Sequence, residues 1–163
     1  MHGEGIVTRS TRYQGAIIRD HHILLIKQTE LATGRSYWLI PGGGIEQPET
    51  EETCVQREML EETGLHVHVD SLLLDEPSMP GEIYQRHKTY VCSILDGEAR
   101  PGYEPEAEYA TAYSFTEVRW FDLRQPTSWN EQVIADPITY PLLQRIQAAL
   151  GYAVAAIAPI TYD

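Results

Sequence analysis

Between Pro41 and Leu65 the chain reads PGGGIEQPETEETCVQREMLEETGL. Three glycines come first, then a stretch from Glu51 to Thr63 with neither Gly nor Pro, then Gly64. Good helix formers dominate 51–63, and a glycine one residue past them is where a left-handed helix cap belongs. The spacing therefore predicts a helix over 51–63, reached through a tight glycine turn. The same stretch holds seven carboxylates and one arginine, Arg57. On a helix that advances about 100° per residue, Glu62 falls about 40° to one side of Glu58 and Glu61 about 60° to the other. Glu51 lies on the same stripe. Like charges three and four residues apart destabilise an isolated helix, so this face requires a partner.

A solvated acidic face is one reading, but such faces usually interleave Lys or Arg at i+4, and only Arg57 is present here. A hard divalent cation is the natural counter-charge. Mg²⁺ or Mn²⁺ prefers oxygen ligands, keeps several waters and shares its shell readily with a phosphate. Gly42, Gly43 and Gly44 permit close backbone approach, which lets a carbonyl reach a metal or an amide reach a phosphate.

The rest of the chain is consistent with one domain spanning 1–163, since typical domains run to roughly 100–200 residues. Hydrophobic residues make up 42% and charged residues 22%, as in globular proteins. Twelve Lys and Arg against twenty-four Asp and Glu give a net charge of -12. That balance repels a polyanion, so a nucleic-acid polymer is an unfavourable partner, while small anions stay accessible through a divalent ion. No stretch approaches the roughly 20 apolar residues that span a bilayer, and MHGEGIVTRST lacks a basic-then-apolar signal pattern. A cytoplasmic protein without a membrane partner is expected. Cys54 and Cys92 suggest buried, reduced thiols rather than a disulfide or zinc framework.

RYQGAIIRDHHILLIKQ predicts a hairpin turning at Asp20 and His21, and GRSYWLIPGGG a short strand. LHVHVDSLLLDE and YQRHKTYVCSIL alternate as strands around the turn PSMPGE, and VRWFDL adds another. DGEARPGYEPEAEYATA predicts an exposed loop. ITYPLLQRIQAALG predicts a helix ending at Gly151, with Pro141 in its first turn. Strands, helix, strands, helix is an α+β order, with helices packed on mixed sheet.

From Gly43 the sequence runs glycine, five residues, Glu49, seven residues, Arg57, Glu58, Met59, Leu60, Glu61, Glu62, Thr63, Gly64, Leu65. This resembles the Nudix box, Gx5Ex7REUxEExGU with U a bulky aliphatic residue, at every defined position. YWLIPGG before it and EVRWFDL after it look like the flanking strands of that family. Pro48, where many members carry glycine, and Cys54, often alanine, touch no charged position. The resemblance implies an αβα sandwich: a mixed β-sheet, the box as a catalytic loop–helix–loop, and a C-terminal helix on the other side.

For chemistry, the resemblance implies Mg²⁺-dependent hydrolysis of a nucleoside diphosphate linked to another moiety, by water attack at phosphorus, with Mn²⁺ as a substitute ion. The positions matching the family's metal ligands are Glu58, Glu61 and Glu62, with the carbonyl of Gly42. Arg57 and Glu49 complete the catalytic set, Arg57 holding the carboxylates in register. The proton acceptor varies across the family. The distal candidates here are Glu104, Glu106 and Glu108, with Glu108 preferred, and Glu117 as an alternative. Glu46, Glu51 and Glu52 receive no role and are expected to be solvated.

Pro80, followed by Gly81, looks like a proline position associated with ADP-ribose pyrophosphatases in the family, which favours ADP-ribose or a nucleotide sugar. A nucleoside triphosphate, a dinucleoside polyphosphate, or a non-catalytic nucleotide-sensing role are the alternatives. Tyr13, Tyr37, Tyr84 and Tyr140 are candidates for stacking a base, and Arg35, Arg86 and His87 for meeting phosphate or ribose. His66 and His68 alternate on a strand and do not show zinc spacing. The apolar YAVAAIAPITYD fits packing on its own fold or on a second copy, and family analogy points to a homodimer.

Overall fold

The computed structural model of the protein describes residues 9–103 and 112–152. The strands are β1 (Arg9–Arg19), β2 (His22–Glu30), β3 (Ser36–Leu39), β4 (Gly42–Gly43), β5 (His66–Pro77), β6 (Tyr84–Asp96) and β7 (Tyr113–Asp122). The helices are α1 (Glu51–Thr63), α2 (Glu131–Ala135) and α3 (Thr139–Leu150), with a 3₁₀ turn at Pro126–Ser128. The described strands form one mixed sheet in the order β3-β2-β1-β6-β5, with β4 on β1 and β7 on β2. The expected α+β sandwich is thus present.

Hairpin β1–β2 turns at Asp20 and His21, both at positive φ (49° and 65°), the conformation a two-residue turn needs to match strand twist. β1 then divides its partners. From Arg9 to Ile17 it runs parallel to β6, and at Tyr13 and Gln14 it runs antiparallel to Gly43 and Gly42. Only its last two residues pair with β2.

Alternation along the strands builds two cores. Ala16, Ile23 and Leu25 face Leu143 and Ile146 of α3 and Val133 of α2, with Trp38 set edge-on to Phe121. Ile17 and Leu24 face the opposite way, against Val55 and Met59 of α1. Each sheet face therefore carries one helical layer. The short α2 and the 3₁₀ turn escaped sequence reasoning, because Pro126–Ala135 has too few residues to show a helical period. β7 also begins earlier than VRWFDL suggested, since Tyr113 to Val118 pair with β2 across an irregularity at Lys27 and Gln28.

Helix α1 starts with a reciprocal cap. Thr50 Oγ1 accepts from Thr53 N–H, and Thr53 Oγ1 accepts from Thr50 N–H. It ends at Gly64, which is left-handed as the spacing predicted. Its last carbonyls are closed by a distant segment. Arg100 N–H donates to Thr63 O at 2.9 Å, Gly102 N–H to Glu62 O at 2.9 Å and Tyr103 N–H to Glu61 O at 3.2 Å. This strap satisfies groups that would otherwise be orphaned at a helix end. A Cβ at position 102 would overlap the Glu61 carbonyl oxygen. Gly102→Ala should therefore destabilise the fold by about 2 kcal/mol, read as a lower denaturant midpoint at unchanged slope.

Candidate functional site

Arg57 projects from α1 into a ring of carboxylates. Its Nε donates to Glu49 Oε2 at 2.6 Å and its Nη2 to Glu49 Oε1 at 3.0 Å, a bidentate fork that fixes the guanidinium plane. Nη1 donates to Glu58 Oε1 at 3.0 Å and lies 3.2 Å from Glu61 Oε2. Glu46 stands 3.5 Å from Nε. One guanidinium thus faces four carboxylates. Nη2 also reaches Gly44 O at 3.1 Å, which ties the helix to the glycine turn.

Burial sharpens the imbalance. Glu58 is 6% exposed and Glu62 3%. Desolvation raises the pKa of both Glu58 and Glu61 above the ordinary carboxylate value, with Arg57 opposing the shift. Glu49 moves the other way, held low chiefly by its hydrogen bonds from Arg57. Glu61 and Glu62 also sit in the last turn of α1, where the helix dipole disfavours anions and no basic residue is present.

The glycines lie beneath these acids. Gly42 and Gly43, which read as an irregular turn in the sequence, form the short strand β4 against β1. Gly42 N–H donates to Glu62 Oε1 at 3.0 Å. A Cβ at Gly43 would overlap the Glu58 carboxylate, so the absence of a side chain is what lets strand and helix meet. Cys54 is buried beneath the same face as expected, and burial pushes its thiol up to about 12. Cys92 is likewise buried and reduced.

A cleft of about 610 Å³ opens from this point. Gly42, Gly43, Glu58 and Glu62 line it, Tyr37, Tyr113 and Phe115 contribute aromatic wall, and Arg12, Gln28, Glu30 and Tyr84 add polar groups. Carboxylates and aromatic faces in one cleft suit a ligand with a metal-bridged anionic part and a flat part. Among the described residues no three His, Cys, Asp or Glu side chains converge in a ready metal-coordinating arrangement. The carboxylates are turned toward Arg57 and the Gly42 amide instead.

Glu49, Glu58 and Glu61 meet at Arg57, and Glu62 meets Gly42, residues that the helical spacing and the resemblance had singled out. Glu104, Glu106 and Glu108 lie outside the described residues, as do residues 153–163 of the apolar C-terminal stretch. Glu117 is paired with Arg119 and does not line the cleft. Glu51 corrects the stripe reading. Seven residues of rise set it about 10 Å along the axis from Glu58, and there it meets β6. Lys88 Nζ donates to both its oxygens at 3.1 Å and Tyr90 OH donates to Oε1. Glu51 is therefore bound to β6 at a half-exposed position and does not line the cleft, and Tyr90 chiefly, with Lys88, holds its pKa low. Glu46 and Glu52 are both exposed as expected, Glu46 while standing 3.5 Å from Arg57 Nε.

Of the aromatic candidates, Tyr37 and Tyr84 line the cleft. Tyr140 packs edge-on against Trp129, and Tyr13 packs on the α1 core. Arg35 stands 5.8 Å from the Tyr37 ring, Arg86 is paired with Asp75, and His87 contacts Ser78 and Glu82. Gly81 reaches the cleft, while Pro80 is not among its lining residues. His66 and His68 point to solvent from alternate positions of β5, with Val67 and Val69 buried between and after them. Sequence reasoning missed Arg12, Gln28, Glu30, Tyr113 and Phe115. The only available signal was strand alternation, which places Gln28 and Glu30 on the face of Leu24 and Ile26.

An αβα sandwich thus brings a glycine turn and an acidic helix to one cleft. The NUDIX domain family model matches residues 10–141, and the chain belongs to the Nudix family. It is 42% identical over 64 residues to a MutT-like protein of Streptomyces ambofaciens, a match covering 39% of each protein. It is 39% identical over 99 residues to an ADP-ribose pyrophosphatase of Methanocaldococcus jannaschii, covering 58% of this chain and 57% of that protein. The match thus spans less than two thirds of either relative's length. The crystal structure of an ADP-ribose pyrophosphatase from Streptococcus suis superposes with a TM-score of 0.63 at 19% identity, over 88% of this chain and 93% of that one. That likeness concerns the fold.

Proposed function

We propose that the protein is a divalent-metal-dependent pyrophosphohydrolase acting on a nucleoside diphosphate linked to another moiety, with ADP-ribose or a nucleotide sugar as the favoured substrate. The observation that carries this reading is the crowding of Glu46, Glu49, Glu58 and Glu61 around one guanidinium, with Glu58 reaching the cleft. Glu49, Glu58 and Glu61 are largely withdrawn from solvent, and such a surplus of negative charge is expensive unless a cation relieves it.

The donor set fits Mg²⁺ or Mn²⁺: hard carboxylate oxygens, with neither thiolate nor imidazole among them. Glu58, Glu61 and Glu62, with the backbone at Gly42, would hold the ion. When bound, it would neutralise pyrophosphate charge and acidify a water. Arg57 braces Glu49, Glu58 and Glu61 so that the carboxylates are oriented before substrate arrives. The tight contact of β4 on Glu58 and Glu62 keeps water out from behind the reacting end. Tyr37, Tyr113 and Phe115 offer the flat surface that a base or a second ring system would stack on.

The preference for ADP-ribose rests on the Methanocaldococcus relative and on Gly81 at the cleft. A panel of ADP-ribose, nucleotide sugars, dinucleoside polyphosphates and oxidised nucleoside triphosphates, assayed with Mg²⁺ for release of nucleoside monophosphate, tests it. No cleavage of any member removes the enzymatic reading, and a strong triphosphate preference removes the substrate choice. Added Mg²⁺ or Mn²⁺ is also expected to raise the melting temperature. An ion bound only by the native state adds RT ln(1 + [L]/Kd), about 2.7 kcal/mol at a hundredfold excess over Kd. A melting curve unmoved by millimolar metal would count against the site.

A further inference from the structure

Arg12 is the one cationic side chain among the described residues that line the cleft. A guanidinium carries five N–H donors, and Arg12 directs Nε to Gln14 Oε1 at 3.2 Å and Nη2 to Ile40 O at 2.7 Å. Both acceptors are neutral, so these bonds fix its place without cancelling its charge. Ile40 leads directly into the glycine turn, and the guanidinium carbon lies 6.0 Å from the centre of the Tyr84 ring. Its field reaches Glu58 in the same cleft.

The support behind Arg12 is buried. Gln14 is 2% exposed and Thr89 0%, and Gln14 Nε2 donates to Thr89 Oγ1 at 2.8 Å across the parallel pairing of β1 and β6. Burying a glutamine is costly unless both ends of its amide are satisfied. Here one end is satisfied by Thr89 and the other by Arg12. The pair thus hands a fixed orientation from the sheet interior to a cation at the cleft wall.

We propose that Arg12 holds a non-reacting pyrophosphate oxygen of the bound nucleotide, with Gln14 and Thr89 as its positioning residues. This rests on the pyrophosphohydrolase reading and names the cationic group that receives a phosphate oxygen beside the carboxylates. It divides the work in the cleft: acids and their ion at one phosphate, a guanidinium at the other.

ADP and adenosine, titrated into the Mg²⁺-loaded protein by calorimetry, separate phosphate contact from base contact. Arg12→Gln is expected to weaken ADP binding about tenfold or more while leaving adenosine unchanged, as loss of a charge-assisted hydrogen bond requires. Arg12→Lys should recover part of the loss, and Gln14→Leu or Thr89→Val should give a smaller loss of the same kind. Equal ADP affinity in wild type and Arg12→Gln overturns the proposal. So does equal loss of ADP and adenosine, which would report a damaged cleft, and so does a wild type that binds no ADP. If the wild type binds ADP through Arg12 yet cleaves nothing in the substrate panel, the phosphate contact stands and the hydrolytic reading falls.

Discussion

Glu62→Gln is expected to lower hydrolysis of the best panel substrate by about a hundredfold or more, with little change in melting temperature of the metal-free protein. The side chain is 3% exposed, and Oε1 accepts the Gly42 amide at 3.0 Å. Glutamine keeps that volume, and its own oxygen can take the same amide, so the fold has little to lose. What disappears is one negative charge facing the cleft, and with it one of the proposed metal ligands. The rate should fall most at limiting Mg²⁺ and recover in part at saturating Mg²⁺. A variant with wild-type kcat/KM across the metal titration would remove Glu62 from the proposed site.

Arg57→Ala is expected to cost about 3 kcal/mol of stability at neutral pH. Removal of the guanidinium strands Glu49, Glu58 and Glu61 with no other cation at hydrogen-bond distance among the contacts described above. The direction with pH follows from the carboxyls themselves. Burial already places Glu58 and Glu61 above the ordinary carboxylate value, and loss of Arg57 raises them further. A raised carboxyl favours folding while protonated and burdens it once pH climbs past its unfolded value, so the variant should lose more at pH 8 than at pH 5. Mg²⁺ should rescue the variant more than the wild type, because the ion then supplies the missing counter-charge. Unchanged denaturation curves at both pH values would show that Arg57 is not the brace.

The portion of the site that lies on α1 could be read from the sequence because helical spacing is a geometric rule: Glu58, Glu61 and Glu62 had to share a face wherever the helix docked. The same rule misplaced Glu51. A wheel gives angle but says nothing about what stands opposite each turn, and Lys88 and Tyr90 come from a strand more than thirty residues later. The glycines were legible as a close approach, though their pairing with β1 was not, since a two-residue ladder has no periodicity. Most of the cleft wall escaped for one physical reason. Arg12, Gln28, Tyr113 and Phe115 come from three strands, and their meeting is decided by sheet order rather than by any local pattern.

The split partnership of β1 has a consequence for the order in which the molecule assembles. The motif from Gly43 to Leu65 is contiguous and leaves the ribosome early, yet β4 rests on β1, and β1 rests on β6 from Arg9↔Tyr84 to Ile17↔Cys92. Those parallel contacts join residues about 75 positions apart, the kind of pairing whose loop-closure entropy slows folding. A nascent chain that has exposed the whole acidic helix therefore still lacks the floor on which its carboxylates are set. The glycine floor beneath the carboxylates is complete only when β6 arrives.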